Sequence, residues 1–316
     1  MAYKNTLARL SEKDVVAMIL LQLDKTMLNQ WFGPLVRRIQ STQPDGENVA
    51  VIGDVGGMQA GLGDGQYEKL EVENYFIRNL AWNAGLQVRN IDWDHGRRDL
   101  IEQRVQDKTD LSMGHPGELL QTAIIAGDTK ACMDGNYFFA ADHALADGTT
   151  QSNKITFASA NPSAPSAEEM SDAILEAVRA LYGLKTAKGN AVNMNAMDFT
   201  VATGLSLWKP SVKAINLAQI NGSSNALPAL QGKQFNLASQ VLPAVASTSK
   251  KFWVFRRNAS PFIWQVLDEV TANVLGRNSE HAVKYGHLLF KLDGTYNMGY
   301  GAYQHAVQVE FTQAGA

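Results

Sequence analysis

Residues 97–143, RRDLIEQRVQDKTDLSMGHPGELLQTAIIAGDTKACMDGNYFFAADH, constrain the fold of this chain more than any other stretch. The first part is helical in period, with Leu100, Ile101 and Val105 falling on one face at i, i+1 and i+5. Arg97, Arg98, Asp99, Glu102, Arg104, Asp107 and Lys108 take most of the remaining circumference. So narrow an apolar seam fits a helix lying on a sheet or a neighbour, with its other sides wet or facing partners. The pattern then reads as a break at Gly114-His115, with Pro116 at a first helical position where its missing N–H is harmless. Leu119/Ala123 and Leu120/Ile124 pair at i, i+4 in a second, more apolar helix, for which Gly127 supplies a left-handed stop. Asp134-Gly135 marks a turn, followed by the apolar run Tyr137-Phe138-Phe139 and then Asp142-His143.

At 316 residues the chain can bury a large core, and 45% hydrophobic with 19% charged residues is an ordinary globular balance. A net charge of −3 argues against a dedicated nucleic-acid grip, which needs a basic stripe. The single cysteine excludes an internal disulfide framework and suits a reducing cytosol. Met1-Ala2-Tyr3-Lys4 leads into polar residues rather than an apolar core, so no signal peptide or removed propeptide is expected. No apolar run approaches the roughly 20 residues of a membrane span.

Ser11 and Asp14 open an amphipathic helix through Val15, Ile19, Leu23, Met27 and Trp31, ending near Phe32-Gly33-Pro34. Residues 43–66 then carry seven glycines, with Gly53, Gly56, Gly57, Gly61, Gly63 and Gly65 close together. Their φ freedom suits turns, bulges or a hairpin rather than a helix. A phosphate cradle is disfavoured, because no Gly-x-Gly-x-x-Gly occurs, no Lys-Ser or Lys-Thr follows, and the next segment is strand-like. Residues 70–73, 76–77 and 84–88 alternate as expected of a long two-stranded excursion. Further on, Ser166 and Glu169 form a capping box before a helix through Met170, Ile174, Val178 and Leu181 to Gly183. A second helical patch runs through Val212, Ile215 and Leu217, while residues 199–202, 252–255, 262–266 and 287–290 read as strands. Helices and strands without a strict βαβ repeat make the class α+β.

Cys132 with Asp142 and His143 is the most enzyme-like set, since a thiolate–imidazole pair across a turn would be nucleophilic. A cysteine between Ala131 and Met133 is better read as a small core hydrophobe, with Asp142-His143 satisfying backbone groups at the turn. His95, His115, His143, His281, His287 and His305 lack helical metal-pair spacing, and Asp92, Asp94 and Asp99 lack a calcium-loop pattern. No metal or cofactor is therefore expected. Lys250-Lys251 and Arg256-Arg257 flank an aromatic strand, and two such doublets fit a solvated strand end or subunit contacts better than a nucleic-acid surface.

Two motifs carry a family resemblance. HPGEL (residues 115–119) followed by CMDGNYFFAADH (132–143), and FKLDGTYNMGYGAYQHA (290–306), resemble the major head subunit of Mu-like tailed phages, in the family's order. The chain departs from the pattern before the long helix, where Asp92-Trp93-Asp94-His95 stands in place of an acidic pair. The resemblance implies the Hong Kong 97-like phage capsid fold: an N-terminal arm (1–45), an extended loop (46–95), a peripheral domain with a long spine helix (96–130 and 285–316) and an axial domain (131–284). It implies a structural, non-enzymatic subunit that assembles as hexamers and pentamers into an icosahedral head around double-stranded DNA, held non-specifically. A separate scaffold protein, a portal and a decoration protein are the implied partners, with assembly in the host bacterial cytoplasm and no membrane. The six glycines from Gly53 to Gly65, with Arg97, Arg98, Glu102, Arg104, Asp107 and Lys108, are the expected inter-subunit contacts. A cysteine-dependent or nucleotide-using enzyme, or a tail-tube or portal subunit, are the competing readings.

Overall fold

The computed structural model describes residues 30–52, 72–94 and 98–315. After a 3-10 turn at Gly33–Leu35 come β1 (Val36–Gln40), β2 (Gly46–Ile52), β3 (Val72–Arg78), β4 (Ala81–Arg89), α1 (Asn90–Asp94) and α2 (Arg98–Ala126). The middle of the chain forms β5 (His143–Ala144), β6 (Thr150–Gln151), β7 (Lys154–Ser159), α3 (Ala167–Gly183), β8 (Asp198–Thr203), α4 (Leu205–Asn216), β9 (Gln219–Ile220) and β10 (Ser223–Ser224). The last third forms α5 (Ala226–Leu230), β11 (Asn236–Val241), β12 (Lys251–Arg256), β13 (Phe262–Leu275), α6 (Glu280–Tyr285), β14 (His287–Tyr300) and β15 (Ala306–Gln313). The helix expected over residues 11–31 lies outside the described residues except at Gln30 and Trp31.

The helix expected to break at Gly114-His115 is one 29-residue element, α2, running through Gly114 and Pro116. Burial explains why. Ile101, Val105, Thr109 and Met113 are buried at steps of four, and the stripe continues through Leu120 and Ile124 on the same side. Ending the helix at Gly114 would take half of that stripe off its sheet, whereas Pro116 removes a single backbone hydrogen bond. Leu100, assigned to the buried face from spacing, is exposed, and Thr109 takes a fully buried place in its stead. Beside the proline, the Gln30 side-chain amide donates to Met113 O at 3.0 Å. Gly117 admits the first turn: a Cβ there would lie 3.2 Å from Trp31 Nε1. Gly127 ends the helix without the left-handed conformation expected of it. Its missing side chain leaves room for the ring of Phe139 from the following loop, which a Cβ would meet at 2.6 Å.

The N-terminal half of α2 lies on a four-stranded sheet ordered β1-β13-β14-β4, parallel between β1 and β13 and antiparallel elsewhere. Ile101, Val105 and Met113 pack there with Val88, Trp93, Leu288, Phe290 and Leu292. A second sheet, ordered β11-β8-β12-β15-β7, is buried on both faces. Phe199, Val201, Phe252, Val254, Val307, Val309 and Phe311 face α3 and α4. The alternate positions Ala202, Trp253, Phe255 and Ala306 face the other way, toward Leu120, Ile124 and Phe138.

The strands of the excursion differ from expectation. β2 pairs with β3, Gly46 opposite Arg78 through Ile52 opposite Val72, so the hairpin spans the glycine-rich stretch. Residues 84–88, expected as its second strand, belong to β4, whose alternating side chains pack against α2 and β14. The C-terminal stretch 285–316 is divided between the sheets, β14 lying in the first and β15 in the second.

Candidate functional site

Of the residues singled out as contacts, Gly53, Gly56, Gly57, Gly61, Gly63, Gly65 and Arg97 lie outside the described residues, as does the side chain of Arg98. Glu102, Arg104, Asp107 and Lys108 lie outside the buried stripe of α2, with Arg104 and Asp107 exposed and Glu102 and Lys108 half-buried, Lys108 beside the edge of the sheet. Among the described residues no ion pair engages these four side chains. Arg104, Asp107 and Lys108 line a shallow groove of about 480 Å³ with Leu86 and the exposed Leu100 and Leu111. This surface offers charge of both signs beside uncovered leucine.

A narrower crevice of about 210 Å³ lies between α2 and the sheet, where the HPGEL histidine sits. His115 Nδ1 is 2.9 Å from the Tyr296 hydroxyl, and its ring packs edge-on against Trp82 at 4.3 Å. Trp82 Nε1 donates to Tyr296 O at 2.9 Å. Burial lowers the His115 pKa, with nearby Glu118 opposing, and burial raises Tyr296 to about 12. These groups form a closed polar set that holds α2 to β4 and β14.

Beyond α2 the chain turns back across the inner face of the second sheet. Cys132 N donates to Asn136 O and Gly135 N to Cys132 O, closing the turn that Asp134-Gly135 predicts. Cys132 is buried as expected, and so is His143, but the residue that joins them is Asp134. Asp134 Oδ1 accepts from Cys132 Sγ at 3.0 Å, and Oδ2 lies 2.6 Å from His143 Nδ1. Asp142, the acid taken with His143 from sequence adjacency, points elsewhere and accepts from Asn136 Nδ2 at 2.9 Å. Adjacent residues of an extended chain face opposite ways, whereas the turn carries Asp134 back over His143. The Cys-x-Asp spacing within CMDG was the signal, hidden because Asp-Gly already had a role as a turn.

Burial and the adjoining Asp134 carboxylate push the Cys132 thiol well up, so it is a protonated donor rather than a nucleophile. Burial raises Asp134, but His143 and Cys132 together hold its carboxyl below the usual range. A thiol–imidazole catalytic pair is thereby disfavoured on its own chemistry.

Asp128, just past the end of α2, is a second site the sequence reading missed. Its carboxylate receives Lys251 Nζ at 2.6 Å, Lys154 Nζ at 3.0 Å and Gln308 Nε2 at 3.1 Å. Those partners come from β12, β7 and β15, so one acid ties the helix end to three strands. Lys251, read as part of a solvated doublet, is engaged here.

Comparison with known proteins follows the same lines. Residues 26–181 match the family model described as the Mu-like prophage major head subunit gpT. This match begins well before the motifs quoted above and stops short of the C-terminal one. The Mu-like prophage FluMu major head subunit of Haemophilus influenzae is 29% identical over 105 residues, 32% of this chain and 34% of that protein, so the similarity spans about a third of the relative. The capsid of cyanophage P-SCSP1u superposes with a TM-score of 0.59 at 10% identity, covering 90% of this chain and 89% of that one. The virus-like particle protein of Pyrococcus furiosus gives 0.54 at 13% identity over 95% and 99% of the two chains. At those identities the structural likeness speaks for the fold alone, and that fold is the α+β, Hong Kong 97-like fold of phage capsid proteins. Sequence and architecture point the same way: over residues 26–181 the chain is similar to the Mu-like prophage major head subunits, and its fold is that of phage capsid proteins.

Proposed function

We propose that this chain is a major capsid subunit, a structural protein and not an enzyme, many copies of which close into the icosahedral head of a Mu-like phage around its double-stranded DNA. The match of residues 26–181 to the head-subunit family carries the reading, and a capsid fold over nearly the whole chain supports it. Hexamers and pentamers are its units, the virion capsid is its location, and the host cytoplasm is where it assembles. A separate scaffold, a portal and a decoration protein complete the head, and the enclosed DNA is held without sequence preference.

In this reading residues 1–45 form an arm, 46–95 the extended loop, 96–130 with 285–316 the peripheral domain around its spine helix α2, and 131–284 the axial domain. The glycines from Gly53 to Gly65 and the charged side of α2 (Arg97, Arg98, Glu102, Arg104, Asp107 and Lys108) meet neighbouring subunits. Charge of both signs with no ion-pair partner among the described residues supports that role for Arg104 and Asp107, because unpaired surface charge is free to pair across an interface. The alternative of cysteine-dependent catalysis is weakened by the protonated state of Cys132.

Sedimentation and electron microscopy of the purified protein test the proposal. Capsomers with five- and six-fold symmetry and closed shells are expected. A small oligomer of fixed size at every concentration overturns it.

A further inference from the structure

The Cys132–Asp134–His143 cluster has a geometry that a structural role alone does not require. One ligand-type atom from each residue lies within 4.8 Å of the other two. The three come from both sides of a tight turn, and the His143 side chain is wholly buried while Asp134 reaches the surface.

The orientation of the imidazole is fixed from outside the cluster. Asn153 Nδ2 donates to Phe138 O at 2.7 Å, and Asn153 Oδ1 accepts from Ala140 N at 3.0 Å. The amide therefore turns its oxygen toward His143 Nε2, 3.3 Å away, and that nitrogen carries a proton. Tyr303 stacks on the ring at 3.6 Å between centroids and 5° between planes, which stops it from rotating. Nδ1 is thus directed at the Asp134 carboxylate, 2.6 Å away, where either a proton or a metal ion can bridge the two. A protein-held Nε2–H with Nδ1 free for coordination is the arrangement found behind metal-bound histidines.

We propose that Cys132 Sγ, Asp134 and His143 Nδ1 form a binding site for a thiophilic divalent cation of the zinc class, with water completing the coordination. The exchange balances in charge and protons. Without metal, one proton bridges Sγ and Oδ1 and another bridges Nδ1 and Oδ2. One divalent ion replaces both, leaving thiolate, carboxylate and neutral imidazole around it, and two protons go to solvent. Ligand atoms around tetrahedral zinc stand about 3.5 Å apart, given bond lengths of about 2.0–2.3 Å. The Nδ1–Oδ2 contact of 2.6 Å and the Sγ–Oδ1 contact of 3.0 Å therefore have to open as the ion enters, a shift that the partly exposed Asp134 side chain can take. A metal here would staple the turn after α2 to the strand at His143, a role independent of the assembly reading.

The test uses the full chain, tag-free, titrated with Co²⁺ and then Zn²⁺ at neutral pH. Cys132 is the only cysteine, so any thiolate-to-cobalt charge-transfer absorption reports this site alone. The expected result is a band saturating at one ion per chain, release of two protons per ion in weak buffer, and loss of the band when Zn²⁺ is added. Asp134→Asn, altered on the exposed side, should weaken Co²⁺ binding by ~100-fold, at or beyond the ~10–100-fold range for loss of a supporting partner. Cys132→Ser should abolish the band while circular dichroism shows a folded chain. No band at ten equivalents of Co²⁺ overturns the proposal, as does a band unchanged in Asp134→Asn. Wild-type protein alone decides the first of these, so a failure of either variant to fold leaves the proposal testable. Shell formation is scored separately by microscopy.

Discussion

Replacing Asp128 by asparagine removes one charge from a site where three donors converge, and the structure sets the size of the effect. An exposed ion pair contributes about 0–1 kcal/mol, and breaking a fully buried pair costs about 3–5 kcal/mol. Asp128 lies between those limits, with its side chain 18% exposed and those of Lys251 and Lys154 27% and 34% exposed. Solvent screening discounts the Lys154 contact most. The substituted amide retains an acceptor for one donor, so D128N should lose about 2 kcal/mol, nearer the charged hydrogen-bond range of about 1.5–3 kcal/mol than the buried-pair limit. The loss has a pH signature. Burial raises the Asp128 pKa, but Lys251, Gln308 and Lys154 lower it further, so the folded value lies below the unfolded one. Such a carboxylate contributes stability that is fully present above its unfolded pKa and disappears as pH falls through its folded pKa. Urea unfolding of dispersed subunits at pH 7 and near pH 3 measures both. The wild type should exceed D128N by about 2 kcal/mol at pH 7 and converge on it in acid. A difference under about 0.5 kcal/mol at pH 7, the range of ordinary surface changes, refutes the reasoning, and so does an equal difference at both pH values.

Phe138→Ala should destabilise the subunit by about 3–5 kcal/mol in the same assay, because the ring is wholly buried against Phe139, Phe262 and Tyr300. Arg104→Glu should leave the melting temperature within a degree or two, about the shift expected of a ±0.5 kcal/mol surface change, yet reduce shell yield in assembly followed by light scattering; normal yield across a range of salt places that side of α2 in solvent. A short Gly-Ser turn in place of residues 53–65 should give a folded subunit by circular dichroism that makes no closed shells by microscopy; normal shells would deny the stretch any inter-subunit role. Hydrogen exchange of the subunit should find the β2 and β3 amides exchanging well before those of β8, β12 and β15; the reverse order would contradict the distribution of buried contacts.

What the sequence reading could see depended on whether a signal was local. The helix α3 was legible to the residue, because Ser166 and Glu169 exchange both hydrogen bonds of the capping box that announces it, at 3.1 and 2.7 Å. The strands at residues 199–202, 252–255 and 262–266 were legible too, being aromatic and β-branched runs of the length a buried strand needs. The continuity of α2 was not, since Gly114 and Pro116 are local breakers while the burial stripe that overrides them depends on a sheet made by β4, β13 and β14. Asp134 and Asp128 were missed for different reasons. Asp128 acts on Lys251 and Gln308, far along the sequence and brought near only by the return of the chain across the second sheet, whereas Asp134 was masked by the turn role already given to Asp-Gly. The charged side of α2 could be named as a surface from its period, but which neighbour it meets is not written in one chain.

The same contacts say where this subunit can change shape. The two sheets meet in a single aromatic cluster: Phe138 stacks on Tyr300 at 4.8 Å and packs on Phe262 at 5.1 Å, while Phe255 meets Phe262 at 5.5 Å. The Tyr300 hydroxyl donates to Ala123 O at 2.8 Å, and Asp128 adds its three donors on the far side of the helix end. Sliding one sheet over the other would expose several whole rings and strip a charge of its partners, each of which costs several kcal/mol. The β2–β3 hairpin is held differently. Among the described residues its buried apolar contact to the body includes Val49, Ile77 and Ile263, with Ile39 and Tyr75 partly covered. Gln265 Nε2 adds hydrogen bonds to Ile77 O and Asn79 Oδ1 at the root of the hairpin, fixing its base and leaving its length to bend. On the proposed assembly, a subunit fitting both five-fold and six-fold surroundings would have an inexpensive joint at the hairpin and a stiff one between the sheets. On the same proposal, adjustment between the two environments would fall to the hairpin, while α2 and both sheets move as one body.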